Sequence, residues 1–248
     1  MTENIVLSCS KLCKSFATKN VLKDISFEIY SGESVALVGA NGAGKSTLIK
    51  ILLGLVKSTK GDIRLFDKDI STPQLRQRIG YLPEIPGYWP ELSAYELLEY
   101  MGRLRQLPIA EIKKRQVKIL AALGLKERGH QRMSGYSKGM LQRSGLAQAL
   151  LHNPDFLILD EPMSGLDPRA QEKLKIILKE LSKSGKTLLI SSHSLEDVKN
   201  LCSRVIVLEK SYLKDDGPTA EVLKSLIERY RNSEPWDEDQ LGEWHDIF

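Results

Sequence analysis

The stretch GANGAGKST (39–47) places glycines at 39, 42 and 44 ahead of a lysine and two hydroxyl residues. It follows a short apolar run, VALV (35–38), and opens a segment with helical spacing. Glycines let a backbone turn sharply and approach an anion closely, and N–H groups at the start of a helix favour negative charge. That is the chemistry of a phosphate cradle. Lys45 would reach the β- and γ-phosphates of a nucleotide, and Ser46 would offer its hydroxyl to Mg2+. A glycine-rich turn that merely starts a helix is the plain alternative, and the full spacing between strand and helix argues against it.

A second stretch, FLILDEP (156–162), ends an apolar strand in two acids. Alone, this could be a surface acid pair. Beside a phosphate cradle, Asp160 at the strand tip would hold magnesium through water. Glu161 would orient the attacking water and accept its proton. A third stretch, MSGYSKGMLQR (133–143), offers two serines as the mouth of a helix. With Ser137 as N-cap, the helix runs from Lys138 to the stop at Asn153-Pro154. With Ser134, Gly135 and Gly139 would both fall inside the helix, at about 1 kcal/mol each against alanine.

These residues need a scaffold. Ile5–Leu7 and Val21–Tyr30 alternate apolar and polar residues as half-buried strands do, and SGES (31–34) is a turn. VALVG (35–39) suits a buried strand. Gly44 to about Leu55 has a helical face of Leu48, Ile51, Leu52 and Leu55, and GDIRLF (61–66) reads as another strand. From Ala94 to about Leu125 the spacing of Leu97, Leu98, Met101 and Leu104 predicts a mainly helical insert. Helices at 138–152, 168–183, 194–201 and 218–230 then alternate with strands at 156–159, 186–191 and 204–209. Strand–helix alternation predicts a parallel sheet with covering helices.

The 248 residues are 42% hydrophobic and 27% charged, an ordinary globular balance. Three cysteines, Cys9, Cys13 and Cys202, form no even framework, so a reduced, cytosolic protein is expected. The N-terminus lacks a basic start and an apolar block, so no signal peptide is expected. The apolar run ILLGLV (51–56) falls far short of the ~20 residues a bilayer span needs. Net charge is +4, but residues 232–248 hold six acids and no Lys or Arg, so residues 1–231 carry 36 bases against 26 acids. The basic body suits a nucleotide, a nucleic acid or an anionic membrane surface, without choosing among them.

Five further pieces in order carry a resemblance to the nucleotide-binding subunit of an ABC transporter, over roughly residues 5–225. Phe16, in KSFATKNVL, matches the aromatic that stacks on adenine, with Val21 close behind it. GYLPE (80–84) matches the loop whose usual glutamine binds Mg2+ and senses the membrane partner; here the residue is Glu84. SKGM (137–140) matches the signature loop, usually Leu-Ser-Gly-Gly-Gln. SGLD (164–167) matches a loop that communicates across a dimer, and His193, in ISSHS, matches the histidine that contacts the γ-phosphate. Ser137 lies 23 residues before Asp160, the family's usual interval, whereas Ser134 lies 26 before it. Tyr136, Lys138 and Met140 depart from the signature pattern. With Glu84, Lys138 and Met140 resemble a branch that pairs separate ATPase and membrane subunits, often for export.

The resemblance implies an α/β fold: a P-loop NTPase with a RecA-like core (about 1–85 and 153–217), an N-terminal antiparallel β part, a helical subdomain insert (about 86–152) and a C-terminal helix (about 218–231). It implies an ATP hydrolase using ATP and Mg2+. Its catalytic residues would be Glu161, His193 and Lys45. Nucleotide would meet Phe16, Val21, Gly39, Asn41, Gly42, Ala43, Gly44, Lys45, Ser46 and Thr47 of one chain. From a second subunit would come Ser137, Lys138, Gly139, Met140 and Asp167. Magnesium would meet Ser46, Glu84 and Asp160. The expected partners are a second copy in a head-to-tail dimer and integral membrane subunits, with no nucleic acid. The expected location is the cytoplasmic face of the membrane. A non-transport ABC ATPase, in translation, repair or cofactor assembly, is the alternative. A small-molecule kinase of another P-loop class would leave SKGMLQR, SGLD and His193 unexplained. The acidic tail 232–248 carries Trp236, Trp244 and Phe248, rare in a plain terminus; docking on the chain or a partner is one reading, and a loosely ordered tail is the other.

Overall fold

The computed structural model describes residues 4–87 and 89–232. Tyr88 and the tail beyond Asn232 lie outside the described residues. The chain forms two compact units: one takes residues up to Leu75 and from Ser182 onward, the other Arg76–Leu181. The predicted helical insert falls inside the second unit, which also takes in the strand that ends in Asp160.

In the first unit, β1 (Ile5–Phe16) and β2 (Lys19–Tyr30) form an antiparallel hairpin whose alternating residues bury one face. Phe16 pairs with Lys19 across the hairpin tip. With β4 (Lys60–Leu65) and β5 (Lys68–Asp69) they make a sheet in the order β2-β1-β4-β5. β3 (Ser34–Val38) is buried at every position, as a strand covered on both faces must be. It runs parallel to β8 (Thr187–Ser191) on one side and to β9 (Arg204–Glu209) on the other. β10 (Tyr212–Pro218) pairs antiparallel with β9. Helices α1 (Lys45–Leu52), α6 (Leu195–Leu201) and α7 (Thr219–Asn232) belong to this unit.

The second unit pairs β6 (Ile79–Leu82) in parallel with β7 (Phe156–Leu159). It also holds α2 (Ala94–Leu104), α3 (Ile109–Ala122) and α4 (Lys138–Leu150). α5 (Pro168–Lys183) begins here and ends at the boundary between the units. Ser93 opens α2 with a capping box: its hydroxyl accepts from Glu96 N–H, and Glu96 accepts from Ser93 N–H.

The structure departs from or adds to the sequence reading at four places. α1 ends at Leu52, and Gly54 turns the chain at φ +69°, so Leu55 is exposed rather than on the buried face. The helical insert breaks at Leu107-Pro108, because proline cannot continue a helix, and Leu104 at the end of α2 is 61% exposed. Residues 79–82 form a strand rather than a loop. The run is only four residues and contains Gly80, where a Cβ would meet the Ala149 carbonyl at 2.5 Å. β10 carried no apolar signal because none of its residues is fully buried.

Candidate functional site

The 39–47 loop leaves the C-terminal end of β3 and enters α1. Gly39 sits so close to β9 that a Cβ would strike the Leu208 carbonyl oxygen. Gly42 has φ +80° and Gly44 φ +111°. A Cβ on Gly44 would lie 2.7 Å from Leu22 Cδ2 and 2.8 Å from the Val21 carbonyl. Each glycine is therefore required for a separate reason: Gly39 for close approach, Gly42 for its dihedral and Gly44 for both. Gly44 is also the N-cap of α1, and no side chain caps that end. A helix start whose N-cap brings no side chain leaves its mouth open, and N–H groups at such a mouth suit a phosphate.

Lys45 is buried, and its Nζ donates to the carbonyls of Gly39 and, at 3.4 Å, Ala40. Its ammonium therefore lies folded over the loop. Asn41 and Ser46 are exposed, Thr47 is half-buried and Ala43 is buried. Phe16 is 48% exposed, with Lys14 Nζ 4.5 Å from its ring centre, and Val21 is half-buried. An aromatic ring left open next to the hairpin tip can accept a flat base.

His193 belongs to the same unit. In the β3–β8 register Leu37 faces Ser191, and Ser192 N–H donates to the Leu37 carbonyl at 3.3 Å. Two residues on, the exposed His193 emerges where Gly39 leaves β3. Ligand-binding loops of parallel sheets gather at these carboxyl ends.

The second unit has its own gathering. Leu82 faces Leu159 in the β6–β7 register, and Asp160 N–H donates to the Leu82 carbonyl at 2.8 Å. Glu84 and Glu161 follow two residues beyond these ends. Asp160 is buried and Glu161 half-buried. Tyr81 reports the convergence: burial first, then the Asp160 and Glu84 carboxylates, push its hydroxyl up to about 12. Glu161 is held at φ 44°, a region few side-chain-bearing residues adopt, and the turn closes when Ser164 N–H donates to its carbonyl at 3.0 Å.

Ser137 is the N-cap of α4, in extended conformation, and its hydroxyl accepts from Met140 N–H at 3.3 Å. The MSG stretch (133–135) is a short 3-10 turn on the approach. Ser137 and Lys138 are exposed, whereas Gly139 and the Met140 side chain are buried. Of that expected quartet, the first two are thus the members open to a ligand. Met140 faces inward and its N–H is engaged by the cap. Asp167 is exposed and accepts from Ala170 N–H at 3.0 Å, capping α5 with Pro168 at its first position.

Sequence reasoning missed three features here. Tyr81 carried no signal because its surroundings, two nearby carboxylates, depend on strand pairing. Ile85, next to Glu84, is 80% exposed. The Lys138 side chain lies over Gly165, where a Cβ would meet its Nζ and Cε. Because the colliding atoms are the tip of a flexible chain, Gly165→Ala should cost mainly its φ of +62°. The expected loss is about 1 kcal/mol in a denaturant titration, nearly unchanged in a Lys138→Gly background. A strong coupling between the two sites would instead show that Lys138 is pinned on the turn.

A phosphate loop between a parallel strand and a helix makes this a P-loop nucleoside triphosphatase. Residues 22–164, more than half the chain, match the ABC transporter family, and the chain belongs to that family. It is 40% identical to an uncharacterised ABC transporter ATP-binding protein of Bacillus subtilis, over 88% of this chain and 72% of that protein. An uncharacterised ABC transporter ATP-binding protein of Synechocystis is 42% identical over 82% of this chain, and the match spans 58% of its length. The linearmycin resistance ATP-binding protein of Bacillus subtilis is 34% identical over 89% of this chain and 72% of its own length. Among solved structures, an ATP-binding subunit of an ABC transporter matches with TM-score 0.80 and 31% identity, covering 89% of this chain and 93% of that one. A subunit of the cbiONQ ABC transporter complex from Clostridium perfringens matches with TM-score 0.81 and 29% identity, covering 99% and 100%. The chain is thus an ATP-binding, ATP-hydrolysing cassette. No helix among the described residues is long and apolar enough to cross a membrane.

Proposed function

We propose that two copies of this chain bind ATP between them and drive export through separate membrane subunits. The observation that carries the proposal is the exposed mouth of α4. Ser137 caps the helix and Lys138 begins it, and both are exposed, so that another subunit's nucleotide can meet the positive end of the helix dipole. In this reading Gly39–Thr47 cradle the phosphates, Phe16 and Val21 hold the base, and Lys45 and His193 contact the γ-phosphate. Glu161 takes the proton of the attacking water. Ser137, Lys138, Gly139 and Asp167 complete the site of the other copy.

The donor set suits magnesium, a hard ion that prefers oxygen and keeps several waters. Ser46, Glu84 and Asp160 would hold it, and the presence of the Asp160 and Glu84 carboxylates beside Tyr81 supports that grouping. When bound, it would neutralise charge developing on the phosphates.

Export is favoured by relatives described as a linearmycin resistance protein and a Nod factor export protein. The helical insert entered after Glu84, with Tyr88, Trp89 and Tyr95, is the expected membrane-subunit contact; of these Trp89 is exposed and packs edge to face on the exposed Tyr100 at 5.6 Å, and Ile85 is exposed nearby in sequence. Tyr95 is instead stacked on His130 at 4.2 Å, which favours a packing role for it. Gentle purification from membranes should recover a multi-span protein with this chain. Recovery with ribosomes or nucleic acid instead would reverse the reading. Ser137→Arg should reduce ATP hydrolysis much more than Ser134→Arg, and equal effects would place the signature loop elsewhere.

A further inference from the structure

Gln142 lies on α4 between two glycines that admit close neighbours. A Cβ on Gly139 would lie 3.1 Å from Ala170 Cβ in the first turn of α5. One on Gly145 would lie 2.8 Å from Leu82 and 3.0 Å from Pro86, on either side of Glu84. Residues three apart advance along one side of a helix. Gln142 is therefore placed between the turn that carries Asp167 and the loop that carries Glu84, little more than a turn below Ser137.

Gln142 is 1% exposed, and among the described residues neither Nε2 nor Oε1 has a hydrogen-bond partner. A primary amide brings two donors and an acceptor, and burying them unpaired is unfavourable. A leucine or methionine would fill the same space without that cost. The neighbouring polar side chains are satisfied: Arg143 donates to the Gly139 carbonyl at 3.1 Å and the Leu123 carbonyl at 2.8 Å, and Ser144 donates to the Met140 carbonyl at 2.9 Å. The orphaned amide therefore stands out on a helix whose other polar groups are accommodated, and such groups mark places where structure is set by function.

We infer that Gln142 is a positioning residue whose amide is held in reserve. It takes partners from the Glu84 loop or the 163–167 turn when ATP and a second subunit close on the mouth of α4. It thereby couples the loop that faces the membrane partner to the helix that faces the other subunit's nucleotide. This rests on the proposed ATP-bound dimer.

The test is Gln142→Met in the full chain, measuring melting without nucleotide, ATP hydrolysis and ATP-driven dimer formation. Melting no lower than wild type is expected, since the unpaired polar atoms are gone. The kcat should fall about tenfold with KM unchanged, and the dimer should weaken by about as much, the scale of one or two hydrogen bonds. Unchanged kcat and dimerisation would make the amide inert and overturn the inference. A lower melting temperature, or failure to fold, would overturn it too, because the amide would then be bonded at rest. If wild type itself forms no ATP-driven dimer, the dimer reading falls and takes this inference with it. A dimerising wild type matched by the variant sinks the inference alone.

Discussion

Glu161→Gln should leave ATP binding near wild type, cut turnover by roughly 10²- to 10⁴-fold, the range for loss of a general base, and accumulate a nucleotide-bound dimer. The fold should tolerate it. Gln has the same length, and the strained backbone at φ 44° is set by the turn from Glu161 to Ser164, not by the carboxylate. What disappears is the proton acceptor at the end of β7, one residue beyond the buried Asp160. Single-turnover hydrolysis and equilibrium nucleotide binding, measured on the same preparation, separate the two effects. Wild-type turnover in the variant would remove Glu161 from the chemistry.

Gly44→Ala should be as damaging at the binding step as Glu161→Gln is at the chemical step. At φ +111° an alanine is strained wherever it points, by about 1–3 kcal/mol. Its Cβ would also meet the Val21 carbonyl at 2.8 Å, and that carbonyl belongs to β2, which its pairing with β1 holds in place. The loop must therefore open, and the first-turn N–H groups of α1 move off the phosphates. ATP affinity should fall roughly ten- to hundredfold, and the melting temperature without nucleotide should drop. Gly42→Ala makes the useful contrast, since its Cβ enters open space and only the φ of +80° opposes it. Its melting temperature should fall less. Equal losses at the two glycines would mean that packing against Val21 and Leu22 does not set the loop.

The same physics explains what was legible in the chain itself. GANGAGKST is readable because its chemistry is backbone chemistry: glycine spacing and one lysine define it whatever surrounds them. Ser137 was readable because capping is local, and the structure places it at the mouth of α4. The strands VALV and FLIL were readable because a strand buried on both faces must be apolar throughout. β6 and β10 were not, since one is four residues interrupted by Gly80 and the other has no fully buried residue.

Local sequence therefore determined the phosphate loop, the helix cap, the buried strands and the type of fold. Tertiary structure alone decided which of the candidate side chains are open to a ligand. It put Met140 inward and left Ser137 and Lys138 outward, and it laid Lys138 over Gly165. It set Glu84 and Asp160 around Tyr81 through the pairing of two strands more than 70 residues apart in sequence. It also left the Gln142 amide buried without a partner among the described residues. These depend on burial and on register between distant segments, and no local pattern of residue types encodes either.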